Sequence, residues 1–134
     1  MLYYSDLWQA VFAVDNSFFV WGGLLGFALW CRSAAFIAFA GAALLHLALD
    51  FPLHNDDARA HFWPVTDWKF ISPVSYWDRS HYAGIVGPLE MLASLLCLGY
   101  LWRQFKTLMP RLILIGAAGL QLAPVFVWAF VFGR

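Results

Sequence analysis

His46-Leu-Ala-Leu-Asp50-Phe-Pro-Leu-His54-Asn-Asp56-Asp57-Ala-Arg-Ala-His61-Phe-Trp-Pro64 is the stretch on which the reading of this chain turns. It opens a polar middle that runs on through Tyr76-Trp77-Asp78-Arg-Ser-His81 to Glu90. All four histidines lie in that middle, as do Asp50, Asp56, Asp57, Asp67, Asp78 and Glu90, six of the eight acidic residues. On both sides the sequence is almost uninterruptedly apolar. Imidazole and carboxylate donors between such walls have the composition of a metal site at a membrane surface.

Working outward, the flanks set the class. Hydrophobic residues make up 63% of the 134 and charged residues only 12%. A water-soluble domain carries nearer half and a quarter, so this composition expects lipid as its solvent. Formal net charge is zero, and no basic tract points to a nucleic-acid partner. Cys31 and Cys97 sit in apolar runs without CxxC spacing and are expected to be core thiols, neither paired nor metal-bound. Met1–Asp6 has no basic region and no small-residue cleavage site follows, so the first apolar segment is expected to stay in the mature protein.

Crossing a bilayer takes about 20 apolar residues at roughly 1.5 Å each. Four segments meet that length, at about 10–31, 33–51, 82–102 and 108–132. The expected fold is therefore an all-α membrane protein with four transmembrane helices in a single domain, 1–134. The first segment is weakened by Asp15 and Asn16, and the fourth carries Gln121 and Pro124. Connections 1–2 and 3–4 are short, which implies two antiparallel hairpins. The 52–81 connection is about thirty residues long, and loops of that length inside a compact domain are usually folded and functional. Its aromatic residues and prolines (Phe62-Trp63-Pro64, Trp68, Pro73, Tyr76-Trp77) suit a cap in the headgroup region. Arg32, Arg103, Lys106 and Arg111 surround the short connections without acidic neighbours. By the positive-inside rule both termini and the long loop then face the periplasmic side of a bacterial inner membrane.

Placing the outer boundary near Asp50 and Tyr82 brings several polar groups to one level. His46 is one turn below Asp50 on the same helix face, because residues four apart stack. Glu90 is eight residues into the third helix, about 12 Å down. Asp15 falls in the outer half of the first. Ionisable groups at such depth are costly unless paired, hydrated or metal-bound, which makes each a site candidate. His46 and Asp50 can offer one nitrogen and one carboxylate oxygen to a single cation; the plainer alternative is a hydrogen-bonded histidine beside a capping aspartate. His54, Asp56, Asp57 and His61 tilt the balance toward a metal. A donor set of His and Asp without thiolate favours Zn, with Mn or Fe next, and Mg if the histidines are not ligands. The candidate metal residues are therefore His46, Asp50, His54, Asp56, Asp57 and His61; Glu90, Asp15 and His81 are the candidate acid–base groups. Asp78 reads as a helix cap and Gln121 as a helix–helix hydrogen bond. No GxSxG, HExxH, P-loop or dinucleotide fingerprint offers a competing chemistry.

His46-x-x-x-Asp50, followed by Trp63-Pro64-Val65-Thr66-Asp67, resembles the LexA-regulated, membrane-bound metal-dependent hydrolase family, which pairs an embedded HxxxD with a downstream W-P-[FLV]-[ST]-D segment. The similarity covers roughly residues 40–70. It implies a small multi-helix membrane hydrolase whose metal is held partly by His46 and Asp50. The family's His-Arg-Gly-x-Thr-His segment has no counterpart here, where the first helix offers Asp15-Asn16-Ser17. The expected function is thus a metal-dependent hydrolase acting on a lipid-linked ester or phosphoester at the outer face. Two other readings compete: an accessory subunit whose loop docks a partner within a larger complex or homo-oligomer, and a metal or proton conduit through Glu90, His46, Asp15 and Gln121.

Overall fold

The computed structural model describes residues 5–76 and 78–127, and among these it is helical without a strand. Five α-helices follow in order: α1 (Asp6–Asp15), α2 (Phe18–Trp30), α3 (Ala34–Asp50), α4 (Ala83–Gln104) and α5 (Leu108–Val127). Short 3-10 turns at Phe51–Leu53 and Arg79–His81 bracket the long connection. Helices are what such sequence must form in lipid, where every backbone N–H and C=O has to find its partner within the segment.

Two stretches are long and apolar enough to cross a bilayer, Ala34–Leu53 and Ala83–Gln104. A third is available if α1 and α2 are taken as one broken span. Their surfaces agree with that solvent. Leu45 and Leu49 on α3, and Leu89, Leu92 and Leu96 on α4, are each more than half exposed. In water such a surface would mark an aggregation or docking site, whereas against acyl chains it carries no penalty. The architecture is thus compatible with an integral membrane protein.

The expected single helix over 10–31 is not continuous. It starts at Asp6, and α1 and α2 meet at a bend of 50°. The cause lies in Asp15-Asn16-Ser17. Asn16 turns its side-chain amide back onto the Phe12 carbonyl (2.9 Å), closing α1. Fully buried Ser17 opens α2 by accepting the Val20 N–H (3.1 Å), and its hydroxyl donates to the Trp63 carbonyl. The next N–H, of Phe18, donates to the His61 carbonyl (2.9 Å). Ser17→Ala should therefore lower stability by about 1–2 kcal/mol, a helix cap plus the unmet Trp63 carbonyl. The check is detergent-phase thermal unfolding, with Ser17→Thr expected to restore most of the loss.

α2 and α3 pack against each other, with Ala28 and Ala40 fully buried and Leu47 nearly so. Trp21 meets Phe39 (5.6 Å) and Phe27 meets Phe36 (6.1 Å), which sets the two helices antiparallel. The turn between them is tight. Arg32 takes a left-handed conformation (φ 54°), its N–H donates to the Leu29 carbonyl, and the Ser33 N–H donates to that of Ala28. That pair of bonds is the Schellman ending of a helix. Ser33 then caps α3 through the Phe36 N–H.

The chain divides into two compact units, Met1–Val86 and Gly87–Arg134. In the second, Arg111 closes the α4–α5 turn by donating to the Phe105 carbonyl (3.1 Å) and stacking over Trp102 (4.6 Å). Gln121, expected to bond a neighbouring helix, lines a mostly apolar groove of about 260 Å3 with Met91, Ser94 and Leu98. α5 is apolar over Leu108–Ala123, and residues 128–132 of the expected fourth span lie outside the described residues. Cys31 and Cys97 are exposed, contrary to the core placement expected for them. In lipid an apolar neighbourhood does not imply burial, which is why the sequence pattern misleads there.

Candidate functional site

The connection between α3 and α4 is folded onto the ends of α2 and α3 by hydrogen bonds. Pro52, within the 3-10 turn that follows α3, helps to turn the chain out of the span. Buried Ser72 donates to the Pro52 carbonyl (2.5 Å), while its N–H donates to that of His54 (2.9 Å). Asn55 returns a bond to the Ser72 carbonyl (2.5 Å), and the Tyr76 N–H reaches Leu53 (3.3 Å). Beneath these bonds lies an aromatic cluster centred on Phe51. Its ring lies 5.0 Å from Phe70, 6.0 Å from Phe62, 6.1 Å from Phe18 and 5.2 Å from the His61 imidazole. Sequence reading missed Ser17, Ser72 and Ser75, the fully or nearly fully buried serines that tie the loop down. The Asn-Ser pair before α2 and the Ser-Pro pair at 72–73 are local turn signals, but their long-range partners are not legible.

Asp50 ends α3, and its Oδ2 lies 2.6 Å from His54 Nε2. His54 Nδ1 lies 2.8 Å from Asp57 Oδ2, an ion-pair distance but off the line of a hydrogen bond. The imidazole is 6% exposed and held between two carboxylates. The hydrogen bond to Asp50 raises the His54 pKa; burial opposes it and the Asp57 carboxylate adds to it. The net effect favours the imidazolium form of His54 over that of a free histidine.

His61 has the opposite character. Only 2% exposed, it is pushed below the usual histidine pKa, chiefly by burial. Its Nδ1 donates to the Arg59 carbonyl (3.0 Å), which leaves the lone pair on Nε2. That nitrogen has no hydrogen-bond partner among the described residues, and neither has the buried Asp57 Oδ1. His61 lies within electrostatic range of both Asp50 and His54.

The structure thus brings Asp50, His54, Asp57 and His61 together. His46 lies exposed one turn earlier on α3, and the Asp50 hydrogen bond goes to His54 instead. Asp56 is exposed. Asp15 is exposed at the α1–α2 bend, beside a groove lined by Leu7, Val11, Val14 and Trp21. Glu90 is exposed and belongs to the second unit. Asp78 caps the Arg79–His81 turn rather than α4 itself, accepting from the Ser80 N–H (2.8 Å). Its other oxygen holds His81 Nδ1 at 2.7 Å. The bond from Ser80 and the one from His81 draw the Asp78 pKa down to about 2.

His61 Nε2 and Asp57 Oδ1 are atoms of the nitrogen and oxygen types that divalent metals take as ligands. A neutral imidazole whose Nδ1–H is fixed by a backbone carbonyl is the usual form of a ligating histidine. Buried donor atoms with unmet valence are likewise uncommon without a ligand or water to satisfy them. Convergence is what the arrangement lacks: among the described residues no three His, Cys, Asp or Glu groups surround one cation position. To act as a ligand through Nε2, His54 would have to release its proton and its bond to Asp50. No family model, curated protein or solved structure matches the chain.

Proposed function

We propose that the protein is a membrane-embedded, divalent-metal-dependent hydrolase whose site is built from Asp50, His54, Asp57 and His61. The observation that carries this reading is the pair of buried atoms without a hydrogen-bond partner on Asp57 and His61 beside the Asp50–His54 pair. Zn suits the nitrogen and oxygen donors best, with Mn, Fe and Mg as the other candidates. A bound metal of this kind supplies hydroxide near neutral pH by acidifying a coordinated water. The site adjoins the end of an apolar span, Ala34–Leu53, and that position favours a lipid-linked ester or phosphoester as substrate. The charge distribution favours the periplasmic face of an inner membrane for the loop.

Elemental analysis of the detergent-purified protein tests the proposal, with His54→Ala and His61→Ala beside wild type. About one metal per wild-type chain is expected, with affinity at least tenfold weaker in both variants. Wild-type protein that takes up no Zn, Mn, Fe or Mg on reconstitution would sink it.

A second reading draws on the loop's outer surface, where Val65 (71%), Trp68 (53%) and Ile71 (68%) are exposed together with the charges of Asp67 and Lys69. Aromatic and aliphatic groups rimmed by charge also suit a partner-docking surface. In that case the loop docks a subunit of a larger membrane complex. A partner that co-purifies with wild type and is lost on Trp68→Ala, with metal content unaffected, would favour it.

A further inference from the structure

In the second unit, α4 and α5 face each other without closing. Met91, Ser94, Leu98 and Leu101 recur at spacings of three and four, which puts them on one face of α4. Leu114, Ala118 and Gln121 share a face of α5 in the same way. Both faces line the groove of about 260 Å3, and every one of these residues is only half-buried. The α2–α3 pair, by contrast, closes on Ala28 and Ala40. From Met91 to Leu101 the groove runs about 15 Å along α4. That is half of the roughly 30 Å hydrocarbon core, the depth of one leaflet.

One end of this groove is cationic. Arg103 lies two residues beyond Leu101, Lys106 is in the α4–α5 connection, and Arg111 is one turn before Leu114 on the same face of α5. From Gly87 onward the sequence has a single acidic residue, Glu90, at the opposite end of α4 and roughly 20 Å from Arg103 along the helix. Among the described residues, the side chains of Arg103 and Lys106 make no hydrogen bond or ion pair. Arg111 is held in place: its Nε donates to the Phe105 carbonyl (3.1 Å) and its guanidinium stacks over the Trp102 ring (4.6 Å). That fixes the plane of the fork and leaves its terminal N–H groups for an acceptor. Leu108 (73%) and Met109 (69%) are exposed beside these charges, so apolar and cationic surface meet there.

We infer that the α4–α5 hairpin binds one anionic phospholipid, with an acyl chain in the groove and the phosphodiester at Arg103, Lys106 and Arg111. The phosphate oxygens accept from the fixed Arg111 fork, and the other two cations neutralise the remaining charge. Each competing occupant leaves part of this arrangement unused. A free phosphate engages the cations and leaves the apolar groove empty. A zwitterionic lipid brings its own ammonium toward three positive charges. A second hairpin packed in parallel brings three further cations to the same end. The site lies wholly within the second unit and does not depend on the metal-hydrolase reading.

The test is native mass spectrometry of the full-length protein released from detergent. It is titrated with dioleoyl phosphatidylglycerol, with dioleoyl phosphatidylcholine and with glycerol 3-phosphate. One phosphatidylglycerol per chain is expected, held about tenfold or more tightly than either of the other two. The double variant Arg103→Gln/Lys106→Gln, which removes no bond of the fold, should lose that preference while its binding of phosphatidylcholine stays unchanged. Ala118→Phe fills the groove and should weaken both lipids. Equal retention of the two lipids by wild type would overturn the inference, and that comparison needs no variant. Glycerol 3-phosphate held as tightly as phosphatidylglycerol would also overturn it, by showing an anion site without a lipid. So would phosphatidylglycerol binding unchanged in the double variant or in Ala118→Phe, or a dimer from which lipid is excluded.

Discussion

Asp50→Asn is expected to loosen the loop and to flatten the pH dependence of its stability in metal-stripped protein. In wild type the His54 imidazolium is held between the Asp50 and Asp57 carboxylates, with its pKa raised by the bond to Asp50. A histidine whose folded pKa lies above its unfolded value near 6.5 stabilises fully below that value. The contribution disappears as pH rises through the folded pKa. Hydrogen-exchange protection factors in residues 54–76, taken relative to the intrinsic rate at each pH, should therefore be high at mildly acidic pH and fall as pH rises through the raised His54 pKa. Asparagine removes the charge that holds the proton, so protection should be lower at the acidic end and nearly independent of pH across the range. Removing one partner of a fully buried ion pair costs about 3–5 kcal/mol. Asp50 keeps some solvent contact, so the loss at low pH should fall below that range. An unchanged exchange profile would mean that the pair does not hold the loop.

The second large effect is expected at Phe51. Phe18 at the start of α2, His61, Phe62 and Phe70 all contact its ring, so its removal disconnects the loop from α2. Phenylalanine-to-alanine changes in closed cores cost about 3–5 kcal/mol; for this partly exposed ring about 2–3 kcal/mol is expected. Limited proteolysis of Phe51→Ala should cut within 54–76 at least tenfold faster than wild type, while the α2–α3 hairpin stays intact. Phe51→Leu should recover part of the protection by refilling some of the volume. Equal cleavage rates in wild type and Phe51→Ala would show that the serine hydrogen bonds hold the loop without the aromatic cluster.

Apolar length alone made much of the helical layout legible, because a helix is the form in which an uninterrupted apolar stretch satisfies its backbone in lipid. α3 and α4 lie within a residue or two of their expected bounds. The break before Ser17 was visible only as a weak point in the first segment. Its completion depends on Trp63 and His61, more than forty residues away, and no local pattern announces such a partner. The same limit explains the pairing of Asp50. The sequence offers two histidines at a spacing of four, His46 before it and His54 after it, and helix geometry favours the first. The turn at Phe51–Leu53 folds the chain so that the second wins. His61 was named as a donor, but its burial among Phe18 and Phe51 follows from tertiary packing that sequence spacing does not contain.

The hydroxyl of Ser17 has a consequence for the order in which the chain acquires its structure. Its acceptor, the Trp63 carbonyl, is forty-six positions later, so the polypeptide must be synthesised well beyond α3 before that bond can exist. The α2–α3 hairpin has no such dependence, since its halves are joined by a turn of three residues, Cys31 to Ser33. Local contacts form ahead of distant ones because their closure costs less entropy. A nascent chain halted between Asp50 and Trp63 should therefore already hold the hairpin while the start of α2 stays uncapped by the loop. The clustering of His54 and His61 under the loop is then a late acquisition, assembled on a scaffold that is already in place.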